Sequence, residues 1–452
     1  MSLINKQYKY IIIVMIQFLC MFFQFSTIGI LLFLLICLYG FYDIIVKRNL
    51  SNIFLFLILI SSYHSNFPNI YTVNFFNISI IYFMFIFFAL TTIKNIFSSK
   101  FNINYILLIL PLLLLLPYHL IYGFINKFSN YAYITESVSF LIFYFFILYA
   151  LTNNKEKNNE ILDLVKTYII IYYPLFVIFS GLLFPSNSNL LFYDEFSKFH
   201  ALAFTPIIIF SNYKLNHKVL LLLLNILSFF IIAITGYLST LNLILITISY
   251  FIILLKLNFR IIIFSLVFFI LLFFSSYKLL IKYGNETTIW KVKQVGLTIT
   301  NFNFHNINQI PRSPKVRILE IMNSYNELSD SPLLIVIGKG FGSYFTDTKY
   351  SFKNYGVDLS KGDVYSLDQV KQSKYYIGHG FISYSLIKWG FSGILIISLI
   401  SFLIFFIKTK DFFWLSISVP LYVLTTFGYG LKNFIMIGFF IGISLILIIK
   451  KL

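Results

Sequence analysis

Charged residues make up 11% of this 452-residue chain, against roughly 25% in an ordinary soluble domain. With 59% of its residues hydrophobic and 20% aromatic, a soluble fold is excluded, because no compact globule of this size hides so much Phe, Ile and Leu. Strand-like alternation is missing too. Runs such as YIIIVMIQFLCMFF and VLLLLLNILSFFII show no period of two, which excludes a closed barrel. Cysteine is scarce. Cys20 and Cys37 both fall inside apolar runs, so neither a disulfide framework nor a cysteine metal site is available. No His or carboxylate pair has metal-ligand spacing, and a metal mechanism has no support. Internal repeats, heptads and low-complexity linkers are absent as well. Arginine is rare: Arg48, Arg260, Arg312 and Arg317 stand among 34 basic residues. In so Lys-biased a chain, each Arg is a candidate for work that Lys does poorly. No small-residue cleavage site follows Lys6 and Lys9, so the first apolar run reads as an uncleaved span.

What is present is a series of apolar runs, each suited to a hydrocarbon layer about 30 Å thick. They fall near 10–25, 27–46, 51–64, 73–93, 104–123, 134–152, 166–184, 199–213, 219–235, 238–255, 261–277, 391–407, 412–430 and 433–449. The expectation is an all-α polytopic membrane protein of about 12–14 transmembrane helices. With a cytoplasmic N-terminus, 17 basic residues collect at the inner ends, from Lys6 and Lys9 to Lys450 and Lys451. The short outer loops hold Lys127, Lys198 and Lys432. This asymmetry obeys the positive-inside rule, places both termini in the cytoplasm and accounts for most of the +18 net charge without nucleic acid. Three regions follow: N-terminal spans over 1–277, a large external loop over 278–378, and C-terminal spans over 379–452. Loops of that length seldom persist without function.

Within the large loop, Ser313 and Pro314 suit a helix start, and Ile318, Ile321, Met322, Tyr325 and Leu328 follow at helical spacing, predicting a helix over about 314–329. Arg317 lies in its first turns with Glu320 one turn on. The pair reads equally as a surface ion pair or as a guanidinium placed to grip an anion. The glycines of LLIVIGKGFGSYF (333–345) do not match a dinucleotide or P-loop pattern. Gly338, Gly340 and Gly342 instead suit a tight turn with close backbone approach, whose N–H groups are candidates to hold an anionic ligand. His379 stands where the apolar run resumes, with Lys388 and Trp389 as markers of the membrane interface. Glu136 and His119 lie near the outer ends of neighbouring spans, and Asp194, Glu195, Lys198 and His200 crowd the outer rim. Together they suggest a polar pocket at the outer leaflet. The tyrosines and aspartates of 346–376 read either as an ordinary solvated loop or as a platform for a sugar.

These late spans, the long external loop, the stretch from Arg317 through Pro332 to IGKGFGSY, and HGFISYSLIKWGFSGILI headed by His379 resemble the O-antigen polymerase and ligase family. ITGYLSTLNLIL (234–245) and FSKFHALAF (196–204) are similar to two further family segments. The likeness covers about 190–450. Two departures are visible: Gly380 stands where the family has Asn, and the turn at 235–240 lacks the family's Arg. The resemblance implies a glycosyltransferase at the outer face of the bacterial inner membrane. It would use an undecaprenyl-diphosphate-linked oligosaccharide, need no nucleotide sugar, metal or other cofactor, and invert the anomeric carbon. Arg317 would then stabilise the diphosphate leaving group, with Arg312 and Lys198 in support. His379 would act on the acceptor hydroxyl, with Glu136 or Asp194 as substitutes. Gly338, Gly340 and His200 complete the expected substrate-binding set. The expected activity is repeat-unit polymerisation in lipopolysaccharide or related polysaccharide biosynthesis, in company with membrane lipid, a flippase and a chain-length regulator. The alternatives are a ligase that moves finished glycan to lipid A-core, and a flippase for the lipid-linked oligosaccharide. Polar residues gathered at one face and one loop favour the enzyme over the flippase.

Overall fold

The computed structural model describes residues 27–45, 74–75, 78–98, 115–126, 130–152, 307–360, 365–376, 378–379 and 382–393, with isolated positions over 12–26, 156–159 and 282–298. The expected spans over 51–64 and 166–277, and those beyond 394, lie outside the described residues. Two compact units divide the chain: Met1–Ser99 with Ile147–Val292 and Phe440–Leu452, and Lys100–Phe146 with Lys293–Phe439.

In the first unit, helix α1 spans Thr27–Ile45, within a residue of the apolar run read from the sequence. It buries Phe33, Ile36 and Cys37 on one face and exposes Leu31, Leu35 and Leu38 on another. The run expected at 73–93 opens differently: Asn74–Phe75 (β1) pairs antiparallel with Ile78–Ser79 (β2), in register Asn74↔Ser79 and Phe75↔Ile78. Helix α2 then runs over Ile80–Ser98. Among the described residues, no helix is long and apolar enough to cross a membrane.

The second unit contains α3 (115–125), and α4 spans Asn130–Thr152, its residues up to Phe146 belonging here. The large loop then supplies α5 (Arg312–Leu328), α6 (Pro332–Ile337) and α7 (Leu367–Gln372). Helix α8 (382–393) follows. Helix α5 starts two residues before the expected 314, with Pro311 at its N-cap and no side-chain cap. Its buried face also differs from the expected one: Val316, Leu319, Glu320, Asn323, Ser324 and Leu328 point inward, while Tyr325 is 47% exposed. Hydrogen-bond partners make polar side chains tolerable on that face. Asn323 Nδ2 donates to Tyr350 O (2.9 Å) and its Oδ1 accepts from Tyr350 N (3.2 Å). Lys315 Nζ donates to the carbonyls of Asn308 and Tyr355 at 3.0 and 3.1 Å.

Aromatic residues fill the space between α5 and α8. Phe345, Phe352, Tyr365 and Tyr375 join Val316, Leu319 and Leu386 in one core. Phe345 stacks on Tyr375 with centroids 5.3 Å apart, and Tyr365 meets Tyr375 at 4.5 Å. Burial of each such side chain contributes about 1.5–3 kcal/mol. Two of the tyrosines expected on a solvated loop or a sugar platform are thus core residues, with Tyr365 and Tyr375 at 4% and 2% exposure. Phe345 and Tyr375 also exchange both backbone hydrogen bonds, at 3.1 and 3.0 Å.

Candidate functional site

Glu320 sits on the inward face of α5 and its side chain is fully buried. A buried carboxylate is costly unless donors surround it, and here four groups do. The backbone N–H of His379 reaches both oxygens, at 2.9 and 2.8 Å. His379 Nδ1 stands 2.6 Å from Oε1. Ser383 Oγ donates to Oε2 at 3.0 Å, and the Tyr365 hydroxyl donates to Oε1. These donors come from three stretches: the chain entering α8, the first turn of α8, and the insertion before α7. The Tyr365 ring also packs edge-on against the imidazole, centroids 5.0 Å apart. Gly378 makes the approach possible, since a Cβ there would collide with Ser383 Oγ. The imidazole itself is 24% exposed, so a fully buried anion holds a ring whose edge meets the surroundings.

Arg317 lies one turn before Glu320, and its Nη1 donates to Ser313 Oγ at 2.9 Å. The surface ion pair with Glu320 is therefore not formed, because that carboxylate is committed to His379, Tyr365 and Ser383. Arg317 remains exposed beside the turn that carries Glu320. Arg312 Nη2 donates to the carbonyl of Asp358 at 2.7 Å, also in an exposed setting.

A second buried carboxylate organises the glycine turn. Glu136, on α4, meets Lys388 Nζ at 2.8 Å and accepts from Gly342 N at 2.7 Å. Lys388 Nζ also donates to Ser343 O. Lys388, expected as an interface marker, is 0% exposed, and Trp389 is 6% exposed. Both belong to the interior because α8 packs on the glycine turn. The turn does approach closely, and what it approaches is other backbone of the same chain. A Cβ on Gly338 would collide with the Lys388 carbonyl, and one on Gly340 would lie 2.8 Å from His119 O. Both glycines have positive φ, 73° and 75°.

The turn's N–H groups face protein acceptors rather than a ligand. Gly338 N donates to Leu334 O, Lys339 N to Ile387 O and Gly340 N to Lys388 O, at 2.7, 2.9 and 2.9 Å. The anion held by this turn is Glu136 of the same chain. Gly338, Gly340 and Glu136, expected among substrate-binding residues, thus form a clasp inside the protein. His119 lies beside it, 1% exposed, its ring 5.8 Å from that of Phe341. Neither of its ring nitrogens has a hydrogen-bond partner among the described residues.

Of the expected site residues, His379 meets α5 through Glu320, Arg317 lies exposed one turn earlier on that helix and bonds Ser313, and Glu136 belongs to the clasp. Lys198, His200 and Asp194 lie outside the described residues. Glu320, Tyr365, Ser383 and Lys388 are site residues that the sequence pattern does not single out. For Glu320 no local signal exists, since its stripe carries Asn323 and Ser324 as well as Val316 and Leu319, and periodicity reads such polar positions as outward. Among the described residues, no group of three or more His, Cys, Asp and Glu is arranged to hold a metal ion. No protein-family model, curated protein or solved structure matches this chain.

Proposed function

We propose that the chain is an integral membrane glycosyltransferase that joins polyprenyl-diphosphate-linked oligosaccharide repeat units at the outer face of the bacterial inner membrane. The observation that carries the reading is the His379 imidazole 2.6 Å from a fully buried carboxylate, on the helix that also presents the exposed Arg317. This pairing brings a proton acceptor and a rigid cation into one region, as transfer from a diphosphate requires. Support for the membrane setting comes from the 17 basic residues on one side against three in the short loops of the other. Exposed apolar side chains such as Leu31, Leu38, Leu90, Phe97, Phe124 and Ile134 suit contact with lipid better than contact with water.

In the proposed step, an acceptor hydroxyl oxygen attacks the anomeric carbon of a second lipid-linked glycan. The bond from that carbon to the diphosphate oxygen breaks, and its electron pair leaves with the diphosphate. The hydroxyl proton passes to His379, and configuration at the anomeric carbon inverts. Arg317 stays charged throughout and offers a planar fork to the phosphate oxygens, whereas Lys at the same place keeps the charge without the fork.

The test is elongation by the purified full-length chain supplied with undecaprenyl-diphosphate-linked repeat units alone. A polymerase yields a ladder of longer lipid-linked glycans, and His379→Ala slows it by about a hundredfold or more. A ligase gives no ladder, only transfer of the unit to lipid A-core once that acceptor is added, and a flippase gives neither. Either of those results overturns the reading.

A further inference from the structure

We infer that Glu320 is the positioning residue that sets the tautomer and orientation of His379, with Tyr365 and Ser383 holding the carboxylate in place. The inference rests on His379 being the proton acceptor proposed above. It starts from a count of donors and acceptors. An ionised carboxylate only accepts, at about four lone-pair sites. Around Glu320 stand the His379 N–H, the His379 Nδ1, the Tyr365 hydroxyl and the Ser383 hydroxyl. The backbone N–H can only donate, and Glu320 offers the two hydroxyls oxygens to donate to. Nδ1 meets the same carboxylate and is satisfied there only if it carries the ring proton. In the neutral ring the lone pair then belongs to Nε2, the nitrogen on the far side from Glu320.

Two further features distinguish this arrangement from an incidental contact. The carboxylate binds the backbone N–H of His379 as well as its ring, so the residue is fixed at both ends of its side chain. Rotation about its side-chain bonds would break the Nδ1 contact while the backbone contact held the anchor in place. In addition, the ring becomes positive when it takes the hydroxyl proton, and that charge forms 2.6 Å from a buried anion. The donors are already oriented before the charge appears, so no reorganisation is needed at that moment. Glu320 from α5 and Tyr365 from the insertion both face the imidazole.

Glu320→Gln separates this role from simple packing. The amide keeps the shape but has a single acceptor oxygen for four groups, and its NH2 must point at some of them. The ring then gains by presenting a bare Nδ1 to that NH2, which places the proton on Nε2, where it opposes catalysis. The expected loss in kcat is about a hundredfold or more, with KM within about threefold of the original. In the His379→Ala background the same exchange should have no additional effect on kcat, since its action passes through the ring. A full additional loss there would assign Glu320 an independent structural role and overturn the inference.

A readout independent of turnover is the tautomer itself. With 15N-histidine incorporated into the full chain, and the His379 signal assigned from the His379→Gln protein, the neutral ring should show its proton on Nδ1. A proton on Nε2 would overturn the inference even if the enzyme elongates glycans normally. A chain that shows the Nδ1 proton yet elongates nothing would retain the positioning role and refute the proposed function. The measurement on the unaltered protein needs no folded variant.

Discussion

Glu320 and Glu136 are both carboxylates withdrawn from water on helices of the same unit, yet they are neutralised in different ways. Glu136 faces the ammonium of Lys388, itself 0% exposed, and the turn between Gly338 and Ser343 closes around the pair. Glu320 faces dipoles and an imidazole that is 24% exposed. The first carboxylate is closed off together with its cation, while the second is bound to a side chain that keeps an edge toward the surroundings. Buried charge closes the fold in the first case; in the second it serves chemistry only on the proposed function. The contrast also separates two residues expected at the substrate site, since Glu136 lies inside the clasp while the His379 ring is 24% exposed.

The comparison can be broken most severely at Lys388. Lys388→Met should cost about 3–5 kcal/mol, because it strands an uncompensated buried carboxylate. Equilibrium denaturation of the detergent-solubilised chain would measure it. Adding Glu136→Gln should recover roughly half of that loss, since a neutral amide still accepts from Gly342 N. No recovery would mean that the loss came from packing rather than from charge.

The next effect sharpens what the clasp requires of its backbone. Gly338 has φ 73° and ψ −178°, a region that is essentially glycine's alone, and a Cβ there meets the Lys388 carbonyl. Gly338→Ala should therefore cost about 2–4 kcal/mol, strain and overpacking together. Gly356, with φ 69°, has nothing within 4 Å of the place a methyl group would occupy, and Gly356→Ala should cost only about 1–2 kcal/mol. Equal losses, read by the same denaturation, would show that close approach contributes nothing at the turn.

The smallest effect concerns a third carboxylate, less deeply buried than the other two. Glu327 accepts from Lys339 Nζ at 2.7 Å and from Thr346 Oγ1 at 2.5 Å. Burial raises its pKa, but the hydrogen bonds from Lys339 and Thr346 and the Lys339 charge outweigh it and hold the group below the usual carboxylate value. A carboxyl depressed in the folded state adds stability above its unfolded pKa of about 4.3, and that stability is lost as pH falls through the folded value. Between neutral pH and about pH 3, Glu327→Gln should thus lose less thermal stability than the original chain. An identical acid slope in the two proteins would remove Glu327 from the acid response.

Apolar runs are legible to within a residue where hydropathy alone sets them, as in α1, and Arg317 and His379 draw the eye because Arg is rare in this chain and His379 stands where an apolar run resumes. The buried face of α5 is not legible in the same way, since Ile318, Met322 and Tyr325 look like core while Glu320 and Asn323 look like surface. Periodicity reads hydrophobicity, and this face is held by paired polar groups that periodicity counts as outward. Lys388 misleads for a related reason: a Lys beside a Trp resembles an interfacial anchor until its partner is known. That partner, Glu136, also holds the turn from a position 206 residues away from Gly342, a separation no local pattern bridges. The glycine spacing points to a tight turn with close backbone approach, but not to Glu136 and α8 as what that backbone approaches.

The bridge between Phe345 and Tyr375 has a consequence for how such a protein can diversify. Its two hydrogen bonds tie together the ends of 346–374, so the intervening chain leaves and returns at one point of the core. Lengthening a loop whose ends are already joined is thermodynamically mild, about 0.6 kcal/mol for each doubling. Changes at its exposed positions, such as 348–349 and 353–354, can rewrite the surface without displacing α5 or the chain that bears His379. The segment can vary only between fixed points: it must keep Tyr350 and Tyr355 against α5, leave Phe352 and Val357 in the core, and return a phenol to the place where Tyr365 meets Glu320.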